Sequence, residues 1–305
     1  TRGRGLVRRI GNLWPSIVSF ENLTRAARRA ALGKRHVAGV ARFLADLEPN
    51  VLRLQRELED GDWRPSQAYT FEIHDPKTRT ITAAPADRVV HHALIDVLEP
   101  RLEQRMVFES FACRRGKGTH AALRHARRLV RRYSWFLKLD VRKCFESLDH
   151  SVVCHAFAGV IKDRRALDLI ECIVRSGGKD GVGLPIGNLT SQWACNLVLD
   201  RLDHHVKEVL RIPGYVRYMD DFVLFAADKE RLASAHDEVR TFLHALRVSA
   251  VAQQELSESL RTRSPEGSGS QGSSNRVNRG GSFNNAASNA RSANRNNNSP
   301  ENADN

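Results

Sequence analysis

Two apolar runs within residues 216–225 flank a pair of adjacent carboxylates, Asp220 and Asp221. Runs of this kind are typical of a β-hairpin with the acids at its tip. Because residues 222–225 are wholly apolar, we expect the hairpin to be anchored in a core. Another apolar run, at 135–140, predicts a strand that ends in a third acid, Asp140.

Apolar residues at helical spacing predict helices around these strands. They cover about 21–30 with Ser19 or Asn22 as its cap, 37–58 with a kink or interruption at Pro49, 87–102 with Asp87 as its cap, 121–132, 150–160, 164–176, 189–210 and 229–246. Segments 69–73 and 79–83 predict a further hairpin around a turn at 74–78, with Lys77 at its tip. The pattern as a whole predicts an α+β fold.

The composition indicates a polyanionic partner. Lys and Arg number 48 against 35 Asp and Glu, which gives a formal net charge of +13 and a sequence pI of about 10.1. A basic excess of this size favours nucleic acid, with a membrane surface as the weaker alternative. No apolar run approaches the ~20 residues of a membrane span. The five dispersed cysteines lack CxxC spacing and are expected to be reduced thiols.

The composition changes near the end of the chain. Residues 262–305 are mostly Ser, Gly, Asn and Arg, with ten Asn between 278 and 305 against five before residue 270. Such a segment buries too little apolar surface to fold alone, so we expect disorder. The boundary is placed near 250–262. The predicted division is a basic helical extension at 1–60, a central domain at 61–250 and a low-complexity tail at 251–305.

The three acids are candidate metal ligands. A carboxylate at the end of one strand, beside a hairpin that carries two more, could hold two Mg²⁺ ions about 4 Å apart. A pair of this kind suits in-line phosphoryl transfer. The alternatives are a helix cap for Asp140 and a surface turn for Asp220 and Asp221. The basic chain and the combination of all three acids favour metal.

These residues carry a family resemblance. Residues 218–221, Tyr-Met-Asp-Asp, resemble the YxDD box of reverse transcriptases, and residues 136–145 resemble the first catalytic box. Residues 183–192 resemble the box between them, and segments 85–93 and 114–119 resemble parts of the fingers. The resemblance covers about 13–248. It implies a right-hand polymerase with fingers and a palm whose antiparallel sheet packs on helices.

Within that family the chain most resembles the reverse transcriptases of diversity-generating retroelements. One reason is Ile186, where many relatives have Gln, and the other is the Asn-rich tail, which resembles a translated template or variable repeat. The alternatives are a group II intron or defence-associated lineage, or a truncated, inactive palm that only binds RNA. The resemblance also implies error-prone copying opposite adenine.

The resemblance assigns roles to individual residues. Asp140, Asp220 and Asp221 would be the catalytic metal ligands, for Mg²⁺ or alternatively Mn²⁺. The residues assigned to the incoming nucleotide are Lys77, Arg79, Phe145, Ile186, Gly187 and Gln192. Gln192 is expected to bond within its own loop, with a surface position on a helix as the alternative. Tyr218 would support the primer end, and Arg124 and Arg128 would follow a template backbone. The partners implied are template RNA, nascent cDNA, deoxynucleoside triphosphates and a small basic accessory protein, in the cytoplasm of a bacterial or phage-encoded system.

The resemblance ends after about Arg247. The family would continue there with a short strand pair and a helical thumb, and neither is evident in the sequence. A frame change near 247–251 would explain both the missing thumb and the repeat-like end.

Overall fold

A computed structural model describes residues 9–66, 70–75, 77–82, 84–248 and 251–258. A four-stranded antiparallel sheet in the order β4-β5-β3-β6 lies at its centre. Its strands are β3 (Trp135–Val141), β4 (Gly214–Tyr218), β5 (Asp221–Ala226) and β6 (Val251–Glu258). The predicted α+β class is confirmed.

Alternate residues of the central strands face two different layers, as the two-residue period of a strand requires. Leu137 and Leu139 of β3 join the large core formed with the helices, together with Phe222 and Leu224 of β5. The residues between them face the other side of the sheet, where a smaller cluster lies beneath the helix that spans Thr119–Arg132. The sheet residues of this cluster are Phe136, Val216, Val223 and Phe225. The sheet is therefore covered by helices on both faces.

Eleven α-helices are described, and a π-helical turn at His205–Val209 follows the tenth. They are α1 (Trp14–Val18), α2 (Phe20–Ala30), α3 (Ala38–Ala45), α4 (Leu47–Asp60), α5 (Pro85–Arg105), α6 (Thr119–Arg132), α7 (Cys144–Ser147), α8 (His150–Ala158), α9 (Arg164–Arg175), α10 (Leu189–His204) and α11 (Lys229–Ala245). None of the described helices is long and apolar enough to cross a membrane. The five cysteines are free thiols, as expected.

The helix ends show which local predictions were right. Ser19 caps α2, where its hydroxyl accepts from the Asn22 amide at 3.2 Å. The predicted long helix at 37–58 is divided at Asp46, and Pro49 lies in the first turn of α4, where a missing N–H costs little. The cap assigned to Asp87 was wrong. Proline begins α5, and the Asp87 carboxylate instead accepts from the amide and hydroxyl of Ser66 at 2.9 and 3.2 Å.

The two remaining strands, β1 (Thr70–Asp75) and β2 (Lys77–Thr82), form a separate hairpin in which Asp75 pairs with Lys77. Its turn is tighter than the predicted one at 74–78. Strand β6 was not predicted. It pairs with β3 on the edge opposite β5, so the sheet continues past the domain limit set at residue 250 and ends inside the 250–262 boundary region. Residues 259–305, which hold most of the predicted tail, lie outside the described residues.

Candidate active site

The three candidate metal ligands come together at one end of the sheet. In the antiparallel pairing of β3 with β5, Asp140 lies directly opposite Asp221. Asp220 lies in the two-residue turn between β4 and β5, and its carbonyl accepts from the Val141 amide at 3.2 Å. All three aspartates are half-buried. The strand that carries Asp140 therefore lies next to the hairpin that carries Asp220 and Asp221, as predicted.

Strand parity also places two of these acids on one face. Asp140 is two positions from Lys138 and four from Phe136, and Asp221 is two positions from Val223. Since Phe136 and Val223 belong to the cluster under α6, Asp140 and Asp221 share the α6 face of the sheet. The cross-strand pair can thus act on one ligand from a single side.

The donor set fits a hard divalent cation. Carboxylates on rigid strand ends are the ligands that Mg²⁺ takes, and it usually keeps several waters and substrate phosphates in its coordination sphere. Within the described ranges, no three His, Cys, Asp or Glu side chains converge into a ready-made metal cage.

Sequence reasoning missed the residue that holds the turn between β4 and β5. Arg217 of β4 is fully buried, and it projects from the opposite face into α10. Its Nη1 donates to the Met219 carbonyl and to Asn196 Oδ1, both at 2.9 Å. Met219 has a left-handed backbone with φ 61°, which costs energy for a side chain of its size. The contact to its carbonyl stabilises the turn that carries Asp220.

Every donor of the Arg217 guanidinium has a partner. Nε and Nη2 donate to the two carboxylate oxygens of Asp203, each at 2.7 Å, and Nη2 also donates to Ser110 Oγ at 3.0 Å. Tyr215 donates its hydroxyl to the same Asp203 at 2.7 Å. Burial alone would lower the pKa of Arg217, but the charge of Asp203 outweighs it and raises that pKa. Arg217 is therefore a permanent cation behind the turn.

The main chain next to Arg217 closes the outer edge of the sheet. The Arg217 amide donates to the Glu109 carbonyl, and the Phe111 amide donates to the Arg217 carbonyl, both at 2.9 Å. These bonds occupy backbone groups that an edge strand would otherwise expose. The segment between α5 and α6 is thereby attached directly to the hairpin that carries Asp220 and Asp221.

The glycine-rich loop is fastened to the segment that follows Asp140. Gly183 donates its amide to the Leu148 carbonyl at 2.9 Å, and Leu184 donates to the Phe145 carbonyl at 2.7 Å. Gly183 has φ +98°, and a Cβ there would lie 3.2 Å from the Glu146 carbonyl oxygen, so glycine is required. His150, which the sequence analysis did not single out, bonds the Gly183 carbonyl through Nε2 at 2.7 Å.

Four of the residues assigned to the incoming nucleotide lie on this loop or beside it. Phe145 packs partly buried against the main core, Ile186 is half-buried and Gly187 is exposed with φ +91°. Gln192 lies in the first turn of α10, where its Oε1 accepts from Cys113 Sγ at 3.4 Å. The expected bond from Gln192 within its own loop was wrong, because the thiol from the segment after α5 occupies that oxygen.

Other predicted contacts are spread over the molecule. Tyr218 lies beside the turn and accepts a hydrogen bond from Thr119 Oγ1 at 3.0 Å. Arg124 and Arg128 are exposed on α6. Lys77 and Arg79 belong to β2 by their backbone, whereas their side chains lie outside the described part of the chain. Their contact with a triphosphate stays a prediction.

Comparison with known proteins identifies a family. The profile of the family described as "Reverse transcriptase (RNA-dependent DNA polymerase)" matches residues 73–253. The chain is 38% identical over 93 residues to nuclear intron maturase 1, mitochondrial, of Arabidopsis thaliana, covering 30% of this chain and 13% of that protein. It is 24% identical over 173 residues to the group II intron-encoded protein LtrA of Lactococcus lactis subsp. cremoris, covering 53% and 29%.

A solved structure shares the fold. Telomerase from Candida tropicalis, determined with a fragment of telomeric RNA, superposes with a TM-score of 0.51 at 12% identity, over 67% of this chain and 43% of that one. The chain spans less than a third of the length of the two curated relatives. The family profile matches more than half of the chain and includes all three aspartates. The chain therefore belongs to the reverse transcriptase family.

Proposed function

We propose that the chain is an RNA-directed DNA polymerase that extends a primer on an RNA template. The observation that carries this proposal is the register of Asp140 opposite Asp221, with Asp220 in the adjoining turn. These are the carboxylates to which the family resemblance assigns metal binding, brought together by two separate segments of the chain. The reaction is attack of the primer 3′-hydroxyl on the α-phosphate, with pyrophosphate leaving.

Asp140, Asp220 and Asp221 would hold divalent magnesium. When bound, the metal lowers the pKa of the attacking hydroxyl and neutralises charge on the leaving pyrophosphate. The contribution of the protein is to hold the ligands still. The Arg217–Met219 bond positions the turn, and the Val141–Asp220 bond ties it to β3. Asp220 is the surer ligand of the hairpin pair, and Asp221 can orient the site or adjust its charge.

The loop with Ile186 and Gly187 supports the new base pair. Because Gly183 and Leu184 are bonded to the segment after Asp140, a base seated on the loop is held in register with the metal ligands. Phe145, five residues after Asp140, would exclude a ribose 2′-hydroxyl. Arg79, and with less support Lys77, would bind the triphosphate of the incoming nucleotide from the β1–β2 hairpin. Gln192 is the least supported of this group, since its oxygen already accepts from Cys113.

The relatives bear on lineage. They are an intron maturase and a group II intron-encoded protein, so they support the intron lineage better than a diversity-generating retroelement. Ile186 and the Asn-rich residues 278–305 still favour a retroelement. The accessory protein implied by that second lineage remains a proposal that rests on those residues alone.

Primer extension tests the proposal. The full chain, an Asp220→Asn variant and an Asp237→Asn control are compared on an RNA template with Mg²⁺. Asp237 lies on α11 with 70% of its side chain exposed, so the control carries the same chemical change away from the site. We expect extension by the wild type and the control only. A chain that binds RNA yet gives no Asp220-dependent product would instead be the inactive, RNA-binding palm.

A further inference from the structure

Helix α6 carries an uninterrupted basic surface. The helix contains no acidic residue. Five of its arginines are exposed, namely Arg124, Arg127, Arg128, Arg131 and Arg132. Ordinary solvated helices mix both signs of charge on their exposed faces, which limits repulsion between neighbouring side chains. A helix whose exposed side chains carry one sign alone is stabilised by a bound polyanion.

The helix runs away from the catalytic turn. Its first residue, Thr119, bonds Tyr218 at the carboxylate end of the sheet. Just past its last residue, the Tyr133 ring packs on Gly214 at the far end of β4, where a Cβ would lie 2.9 Å from Tyr133 Cε2. Fourteen residues at 1.5 Å each give a path of about 20 Å. A strand that follows α6 from the turn thus leaves the site along the edge of the sheet.

An exposed aromatic residue lies beside the middle of this helix. Phe108 is 60% exposed, although it is a large apolar side chain. Lys117 Nζ lies 4.0 Å from the centroid of the Phe108 ring. The rings of Phe108 and His125 pack edge to face, with their centroids 5.6 Å apart. His125 Nδ1 is in turn 3.2 Å from Arg128 Nη2. A lysine therefore lies over the exposed Phe108 ring, and His125 connects that ring to Arg128 on the helix.

We infer that this surface, formed by Phe108, Lys117, His125 and the exposed arginines of α6, binds single-stranded RNA outside the catalytic centre. Arginines spaced by three and four residues follow the phosphates, and a base stacks on Phe108. Stacking on an aromatic ring needs an unpaired base, which selects a single strand over a duplex. The proposed function enters only in naming RNA as the polyanion.

The surface lies on the side of the sheet away from the point where the described chain ends. Strand β6 is the edge opposite β4, and α6 packs along β4.

Charge favours RNA over a second copy of this chain as the occupant, because the chain itself has a formal charge of +13 and would repel its copy.

Binding of a fluorescein-labelled 20-nucleotide single-stranded RNA tests the inference by anisotropy at several salt concentrations. The full chain carrying Asp220→Asn serves as the parent, so that binding is measured without chemistry. Phe108→Ala is expected to weaken binding about 5- to 150-fold with little change in salt dependence. Arg128→Ala is expected to lower the slope of log affinity against log salt by about 0.7. Phe108→Trp should restore binding, and Leu32→Ala, at another exposed apolar residue, should leave it unchanged.

Several results would overturn the inference. One is equal RNA affinity for the parent and for Phe108→Ala. A second is equal loss for duplex and single-stranded RNA, which would leave only charge. A third is a dimer, detected by sedimentation, that Phe108→Ala dissociates while the RNA affinity stays unchanged. The surface would then be a contact between two copies of the chain. Wild-type chain that binds RNA through Phe108 but extends no primer would refute the proposed polymerase function and leave this surface standing.

Discussion

Arg217 and Asp203 form a fully buried ion pair with two parallel hydrogen bonds of 2.7 Å, and both side chains are 0% exposed. The pair joins the catalytic hairpin to α10, and the same guanidinium bonds the carbonyl before Asp220. A buried pair of this kind costs desolvation, so its net stabilisation is small while both partners remain. Its importance lies in what happens when one partner is removed.

Asp203→Asn should therefore destabilise the chain by about 3–5 kcal/mol, since the variant leaves the Arg217 cation buried without its counter-charge. Urea unfolding followed by circular dichroism measures the change. The matched control is Asp237→Asn, which breaks the exposed contact to Arg240 at 3.8 Å and should cost less than about 1 kcal/mol. Equal effects of the two substitutions would show that the buried pair is not needed.

Arg217→Lys tests positioning of the turn separately from stability. Lysine keeps the charge but cannot supply the forked donors that reach Asp203 and the Met219 carbonyl together. At a temperature where the variant is folded, we expect a lower kcat with nearly unchanged KM for the primer and template. A fall in kcat without a change in KM would contradict a purely structural role for Arg217. A variant with wild-type kcat would contradict the positioning role.

His91 predicts a pH dependence of stability. The ring is buried on α5, and Nδ1 bonds Thr190 Oγ1 at 2.7 Å. Burial, with smaller contributions from His92 and Arg88, lowers the pKa of His91 to about 3. The unfolded chain binds a proton at His91 below pH 6.5 and the folded chain does not, so stability falls as pH drops from 7. The His91 contribution to that loss is about 2 kcal/mol by pH 5.

Urea unfolding at pH 7 and pH 5 checks this value with His91→Asn, which lacks the titrating group. The pKa of Asp200, raised by burial to about 6, acts in the opposite direction over the same range, but its contribution is common to both proteins and cancels. An exposed control, His36→Asn, should follow the wild type. If His91→Asn lost as much stability as the wild type between these pH values, the assignment would be wrong.

Ile186 predicts the direction of a change in fidelity. The side chain is half-buried, and in the proposed role it would offer shape to the nascent pair and no hydrogen bond. Ile186→Gln adds a donor and an acceptor, each worth about 0.5–1.5 kcal/mol, so misincorporation opposite template adenine should fall about 2- to 13-fold. Sequencing of the cDNA products measures it. Ile186→Leu changes shape without adding a polar group and should retain the wild-type error frequency, and an equal fall for both variants would exclude a hydrogen-bonding effect.

The sequence predicted the placement of the three candidate ligands because strand patterns and acids are local features. The apolar residues 222–225 and the run ending at Asp140 define the two strands that bring the acids together. Ser19 at the start of α2 was equally readable, since a cap bonds an amide three residues away.

The supporting contacts were not readable for a physical reason. Arg217 looks like a solvent-facing residue of a hairpin, and its partners Asp203, Asn196 and Ser110 are 14, 21 and 107 residues away. No local pattern shows that a charge is buried until the helix that carries its partner is packed against the strand. The same holds for Gln192 with Cys113 and for Asp87 with Ser66, where a contact from another segment replaced the expected local one. Strand β6 was missed because Gln253, Gln254 and Glu255 weaken its apolar alternation.

Single-nucleotide addition tests the central claim most directly. A labelled deoxynucleoside triphosphate complementary to the template is offered to the chain with a primer annealed to RNA and Mg²⁺. Asp140→Asn and Asp220→Asn, the pair of surer ligands, should each lower the rate of addition by more than about 100-fold, while Asp168→Asn, on the exposed face of α9, retains it. Addition at the wild-type rate by either member of the pair would contradict the assignment of this hairpin as a polymerase active site.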